Sequence, residues 1–457
     1  MTSKKALDTS SETTFGYAQN HMLPLSETYK RGSATQYTAT YGYDGRGNIT
    51  SVASTHGTTT YEYDTLNRVK KELNGETGVT YELSYGNDGR ISAVSMTGVG
   101  TRTFSYDDRG RLEAAYFDGT NSIGNSLSYM FAYDDYGNRT WKVTYYEGQQ
   151  VHTYTWTRGR LLASVNGAQY TYDRSGKRTK KVADGITHEY FYDGDRLITE
   201  KRGSTYLHFF YDESGVCGMR YNGKNYEFVR NLFGDVIRIY DGNTLVARYS
   251  YDCLGNCTVH TNVSGIATVN PFRYRGYYYD LESGLYYLMS RYYDPEIGQF
   301  ISMDKVNYMA PDLIGGVDLY AYCNNNPVMY YDPTGHLAIT TILAIAGGII
   351  GGLIGGIYAY SQIAGDPNIA TGWKVAYIIT MTLLGALAGA FIGFELGSML
   401  IATGIGIATS GSAMAGSTLF ATQTITSGGT VAVGGVVAQE AVLISVIGAL
   451  GIGLMFA

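Results

Sequence analysis

The stretch YEYDTLNRVK (residues 61–70) sets how the whole chain folds. In Thr60–Tyr63 aromatic and polar residues alternate, the period of a strand with one buried face. Asp64 can accept backbone amides and the residues after it favour a tight turn. Arg68 and Val69 then open a return strand. One unit is a β-hairpin, and a lone hairpin is unstable in water, so such units must stack side by side into a sheet.

The unit recurs. YGYDGRGNIT (41–50), FSYDDRGRLE (104–113), FAYDDYGNRT (131–140), YTYDRSGKRT (170–179), YFYDGDRLIT (190–199), FFYDESGVCG (209–218) and YSYDCLGNCT (249–258) repeat it. YELSYGNDGRI (81–91) and YTWTRGRLLA (154–163) fill two of the wider gaps as degenerate copies, giving a period of about 20 residues. Tyr suits a half-buried pleated surface and Asp and Gly suit turns, so these residues read first as scaffold. Rows of Tyr could also stack on sugar rings.

From Asn270 the pattern tightens into NPFRYRGYYYDLESGLYYLMSRYYDPEIGQFISMD and closes with DLYAYCNNNPVMYYDPTGH at His336. It has the look of an atypical unit that ends a repeat array. After His336 the chemistry changes. Among residues 337–457 only Asp366, Lys374, Glu395 and Glu440 are charged, and only Tyr358, Tyr360 and Tyr377 of the chain's 44 Tyr lie there. Residues 337–360 carry no charge and are long enough to span a bilayer core as a helix. Gly347, Gly351 and Gly355 recur every four residues, as do Gly385, Gly389, Gly393 and Gly397 in 375–401. On helices they would form smooth faces that allow close helix packing. Glu395 lies inside the second span, where a carboxylate is costly and marks a wet lumen, a partner helix or a functional position. The expected fold is mainly β: a hairpin sheet curling into a partial shell, followed by a hydrophobic α-helical glycine-zipper domain.

The repeats and the 270–336 block resemble the Rhs/YD-repeat family, which includes Rhs polymorphic toxins, wall-associated proteins, toxin-complex C components and teneurins. The resemblance divides the chain into YD repeats (1–269), an Rhs-associated core (270–336) and a variable effector or translocation region (337–457). It implies a β-cocoon around a C-terminal toxin, with the core plugging the shell and acting as a self-cleaving aspartyl protease. Carried over by motif, Arg291 of RYYDP, Asp304 of QFISMD and Asp332 of DPTGH are the expected catalytic set. Cleavage is expected between His336 and Leu337. Two positions depart from the family's pattern: His336 stands where Leu is usual, and Lys305 follows Asp304 where Pro is common. The chemistry is coherent without the family, because two carboxylates sharing a proton can activate water against a peptide carbonyl.

The expected partners are a target-cell membrane, an immunity protein and surface carbohydrate. The net charge of −6 argues against a nucleic-acid partner, since neutralising phosphates needs a basic surface. Cys253 and Cys257 have no His pair to complete a zinc set, so neither a metal nor a cofactor is expected. The polar start MTSKKALDTSSETT is no signal peptide, and the repeat pattern is already under way. A secreted or cell-surface chain with a membrane-associated C-terminal region, cut from a longer gene, fits both facts. Two alternatives stand beside the toxin reading: a carbohydrate-binding adhesion protein anchored by its apolar tail, and an inactive gene fragment.

Overall fold

The computed structural model describes residues 2–5, 11–17, 23–119, 126–145, 149–212, 214–304, 318–335 and 339–340. Its main feature is one 25-stranded sheet running from Thr2–Lys5 to Cys257–Asn262. Every strand pairs antiparallel with its neighbour in sequence, as in Gly57–Tyr63 with Val69–Leu73. The expected hairpin array is therefore a continuous meander.

The Tyr-Asp dipeptides do separate jobs in it. The Asp closes its own turn: Asp64 Oδ1 accepts the amides of Leu66 and Arg68, each at 2.9 Å. Asp107 does the same for Arg109 and Arg111, and Asp252 for Leu254 and Asn256. The Tyr reaches the previous repeat. The Tyr63 hydroxyl donates to the Ile49 carbonyl at 2.7 Å, Tyr85 to Val69, Tyr106 to Ile91, Tyr133 to Leu112 and Tyr211 to Leu197. Trp156 replaces Tyr in a degenerate copy, and its indole N–H makes the same bond, to Arg139 O at 2.7 Å. A register shift recurs at the Tyr of these hairpins, between Glu62 and Tyr63, Ser84 and Tyr85, and Ser105 and Tyr106. Such bulges add twist and bend the strand, which lets the sheet roll.

The roll brings the first strands against the last. Tyr29, Tyr41, Ile49, Val69 and Ile91 share a buried core with Val229, Ile237, Tyr240 and Leu254. Between these ends the inner face is occupied by the 270–301 segment: Tyr278, Tyr287, Tyr292 and Ile301 pack among Tyr170, Leu207, Phe209 and Phe228. That segment has its own four-stranded sheet, Tyr278–Asp280, Leu285–Leu288, Arg291–Asp294 and Gln299–Phe300. A second aromatic core, including Tyr274, Tyr277, Tyr286, Tyr293 and Tyr322, stiffens it. Its later residues reach the repeat turns, with Asn326 Nδ2 donating to Asn67 O and Tyr320 Oη to Gly137 O, both at 2.7 Å.

The helical glycine-zipper reading of 337–457, with Gly347, Gly351, Gly355, Gly385, Gly389, Gly393, Gly397 and Glu395, lies outside the described residues. Among the described residues no helix is long and apolar enough to cross a membrane.

Candidate functional site: an arginine between two aspartates

Arg291 opens the third strand of the small sheet, and its side chain is buried. Its guanidinium lies 3.6 Å from the centre of the Phe300 ring, so the flat face is covered and the N–H fork is fixed. One nitrogen, Nη2, meets both aspartates: Asp304 Oδ2 at 2.8 Å and Asp332 Oδ2 at 3.6 Å. Nη1 donates to Leu319 O at 3.0 Å, and Nε donates to Gly335 O. Burial pushes the Arg291 guanidinium below its ordinary value, and the two aspartates only partly offset this.

The DPTG turn is built around the same point. Asp332 Oδ1 accepts the amides of Thr334 at 3.2 Å and Gly335 at 2.8 Å. The Asp332 amide donates to Tyr277 Oη at 2.8 Å, and that hydroxyl lies 3.0 Å from Tyr322 Oη. Gly335 has φ +78°, and a Cβ there would meet Ser290 Oγ at 2.5 Å and Leu288 O at 2.7 Å. Only glycine fits that contact. Tyr330–Tyr331 then pairs with Ile339–Thr340, so the chain leaves Asp332 and returns to the same place by Ile339. The structure thus brings Arg291, Asp304 and Asp332 together and sets the Gly335 carbonyl beside them. His336 and Leu337 lie outside the described residues.

Two clasps absent from the sequence reading fix this core to the repeats. Asp280 is fully buried, with Oδ2 2.5 Å from Arg178 Nη1 and Oδ1 2.9 Å from Lys181 Nζ. Glu282 reaches the same lysine at 3.1 Å. Asp294 repeats the pattern with Arg139 at 2.8 Å and Lys142 at 3.5 Å, and Glu296 meets Lys142 at 2.6 Å. Burial pushes the Asp280 carboxyl up, but Arg178 and Lys181 outweigh it and hold it below its ordinary value. Tyr rings of residues 170, 190, 278 and 287 surround Arg178 at 4.4–5.3 Å. RTWK (139–142), RTKK (178–181), DLE (280–282) and DPE (294–296) were the available signal.

Two further carboxyls lock the rolled layers. Glu27 Oε2 accepts the Leu232 amide at 3.1 Å and the Tyr41 hydroxyl at 2.6 Å. Glu72 Oε2 accepts the Cys253 amide at 2.7 Å. Burial raises the Glu27 carboxyl to about 7 and the Glu72 carboxyl to about 8. Cys253 and Cys257 are free thiols, and burial raises both. Among the described residues no His, Cys, Asp and Glu cluster is suited to a metal.

Two family models match, one described as Teneurin YD-shell over residues 154–328 and one as RHS Repeat over residues 43–80. Over these residues the chain resembles the Rhs/YD-repeat family. The chain is 36% identical over 288 residues to the tRNA3(Ser)-specific nuclease WapA of Bacillus spizizenii, covering 60% of this chain and 12% of that protein. Over 65 residues it is 49% identical to toxin protein Tse5 of Pseudomonas aeruginosa, covering 14% of this chain and 5% of that protein. The fold matches the crystal structure of TcdB2-TccC3 without hypervariable C-terminal region, with TM-score 0.50 and 18% identity, over 71% of this chain and 18% of that one. The chain thus spans a small part of the length of each of these relatives. The charge-based exclusion of a nucleic-acid partner finds no support here, because the Bacillus relative is named as a tRNA nuclease.

Proposed function

We propose that the chain is the shell-and-core portion of an Rhs-type toxin, used in competition between bacteria, that cuts its own backbone between His336 and Leu337. The observation that carries this reading is the Arg291 trio: two aspartates from distant segments meet one buried arginine beside the Gly335 carbonyl. In the cut, one carboxylate takes a proton from water while the other, protonated, donates to the peptide being broken. Arg291 orients both acids, and the scissile bond sits in the same chain, which gives a high effective concentration. Tyr277 and the turn amides fix Asp332. Released residues 337–457, with few charges and no His, suit insertion into a target-cell membrane better than nuclease chemistry. A cognate immunity protein, a secreted or cell-surface location and a membrane-associated tail belong to the same proposal.

A second reading has its own observation. Arg291 also bonds Leu319 O and Gly335 O, so the trio ties three core segments together and could serve as a latch with no chemistry. The adhesion reading is weaker, since the YD tyrosines direct their hydroxyls at backbone carbonyls and do not present a sugar face. Expression of the full chain separates the first two readings. Self-cleavage gives two products on a denaturing gel and one product in Asp304→Asn, and the smaller product releases dye from liposomes. A latch gives one band throughout.

A further inference from the structure

Arginines that follow the repeat turns are answered locally. Arg68 pairs with Asp64 at 2.6 Å and lies 4.0 Å over the Tyr85 ring. Arg111 pairs with Asp107 at 2.7 Å and lies 5.1 Å over Tyr133. Both also reach the following turn, at Gly89 O and Asp134 O. Arg160 holds the same place in the degenerate copy YTWTRGRLLA, but Thr157 stands where the Asp would be. There the bond to the following turn comes from Arg158, whose Nη1 donates to Asp173 O at 2.6 Å. Arg160 Nη1 is buried without a hydrogen-bond partner, and Arg160 makes no ion pair among the described residues. A buried cationic group left so is costly.

The turn that carries Arg160 rests on the core strands that lead to the trio. Asn138 Nδ2 donates to Gly159 O at 2.6 Å, and Asn138 also forms a bridge to Ser302, two residues before Asp304. The Arg139 amide donates to Ile301 O at 2.9 Å, and the Ile301 amide donates to Tyr292 O, next to Arg291, at 3.0 Å. Leu161 packs against the cluster that holds Tyr292 and Ile301. Arg160 thus stands between two residues anchored beside Arg291 and Asp304. Its charge is felt there: burial first, and Arg160 with it, press the Arg291 guanidinium down against the lift from Asp304 and Asp332. Burial pushes the nearby Cys323 thiol and Tyr277 hydroxyl up, so both stay neutral. Two arginines therefore face two carboxylates. We propose that Arg160 is a positioning residue lent to the Arg291 site by the repeats, where its charge keeps one aspartate ionised as the base and makes the cut wait until the core has docked on this turn. An undocked core keeps Arg291, Asp304 and Asp332 but lacks the second cation. The proposal rests on the self-cleavage reading and adds the shell as its regulator.

The full chain, recovered unfolded in urea and diluted into buffers of stepped pH, tests it, with the uncut fraction followed over time on denaturing gels. A nearby positive charge favours the ionised carboxylate, so its removal raises the pH at which the base forms. Arg160→Gln should move the acid limb of the cleavage rate up by about one pH unit, which is about tenfold slower cutting on that limb. Its urea midpoint should match the parent's, because Arg160 Nη1 holds no bond. Arg160→Lys keeps the charge and should return the limb to the parent position. A parent that cuts beside an Arg160→Gln chain of equal rate and equal limb overturns the proposal alone. So does slower cutting with an unmoved limb that Arg160→Lys does not restore, or an Arg160→Gln chain that unfolds well before the parent or fails to refold. Those outcomes make Arg160 a structural residue. A parent that never cuts overturns the self-cleavage reading, and this proposal with it.

Discussion

The same dipeptide works differently in the repeats and in the core. In the repeats, the Asp of Tyr-Asp turns back on its own loop, as Asp64 does with the Leu66 and Arg68 amides. In the core, Tyr279-Asp280, Tyr293-Asp294 and Tyr331-Asp332 each present an Asp oxygen to an arginine outside the turn, Arg178, Arg139 and Arg291, and Asp294 and Asp332 keep their other oxygen on their own turn amides. A local turn cap is a self-sufficient part that can be copied along a sheet. An Asp that needs a remote cation instead fixes where one piece of chain sits on another. Two of the three core pairs fasten the core to the repeats, and the third stands at the DPTG turn.

The contrast is sharpest in stability. Asp280→Ala leaves Arg178 and Lys181 buried without their partner and should cost about 3–5 kcal/mol, whereas Asp64→Ala should cost about 1–2 kcal/mol. Urea midpoints of the two variants measure the gap, and equal losses would erase the distinction. The pH response should also split. The Asp280 carboxyl is depressed, so its contribution is present at neutral pH and is lost as pH falls through its lowered value. Glu72 is raised from 4.5 to about 8, so its contribution is full below about 4.5 and is lost as pH rises through about 8. Melting Glu72→Gln across pH 5–9 should therefore show a flatter alkaline fall than the parent, and a parallel fall would remove the layer-locking role. The smallest effect belongs to one staple of the repeat ladder. Tyr63→Phe removes the bond to Ile49 O and should shift stability by about 0.5–1.5 kcal/mol, read from the same urea titration.

The repeats were legible because their information is local. Alternation around Tyr61 and Tyr63 and the Asp64 turn need only neighbours in sequence, and even the Trp156 copy kept its bond. The core was legible mainly through resemblance. Nothing in the spacing of Arg291, Asp304 and Asp332 predicts that they meet, because the small sheet and the DPTG turn bring them together from segments far apart in the chain. The clasps were missed for a related reason. Arg178 and Lys181, three apart, would fall on opposite faces of a regular strand, and only the register shift opposite Thr171 and Tyr172 lets both be buried against Asp280. Glu27 and Glu72 were missed too, since a lone acid in an alternating strand signals the outer face until the sheet is known to roll. Beyond Gly335, the cleavage pair and the glycine faces stand as the sequence left them.

The intact mass of the purified full chain, followed over time beside Asp332→Asn and Asp294→Asn, tests the central claim most directly. Division of labour among the core aspartates predicts masses for 1–336 and 337–457 in the parent and in Asp294→Asn, and a single uncut mass in Asp332→Asn. An uncut parent, or the same two masses from Asp332→Asn, would contradict it.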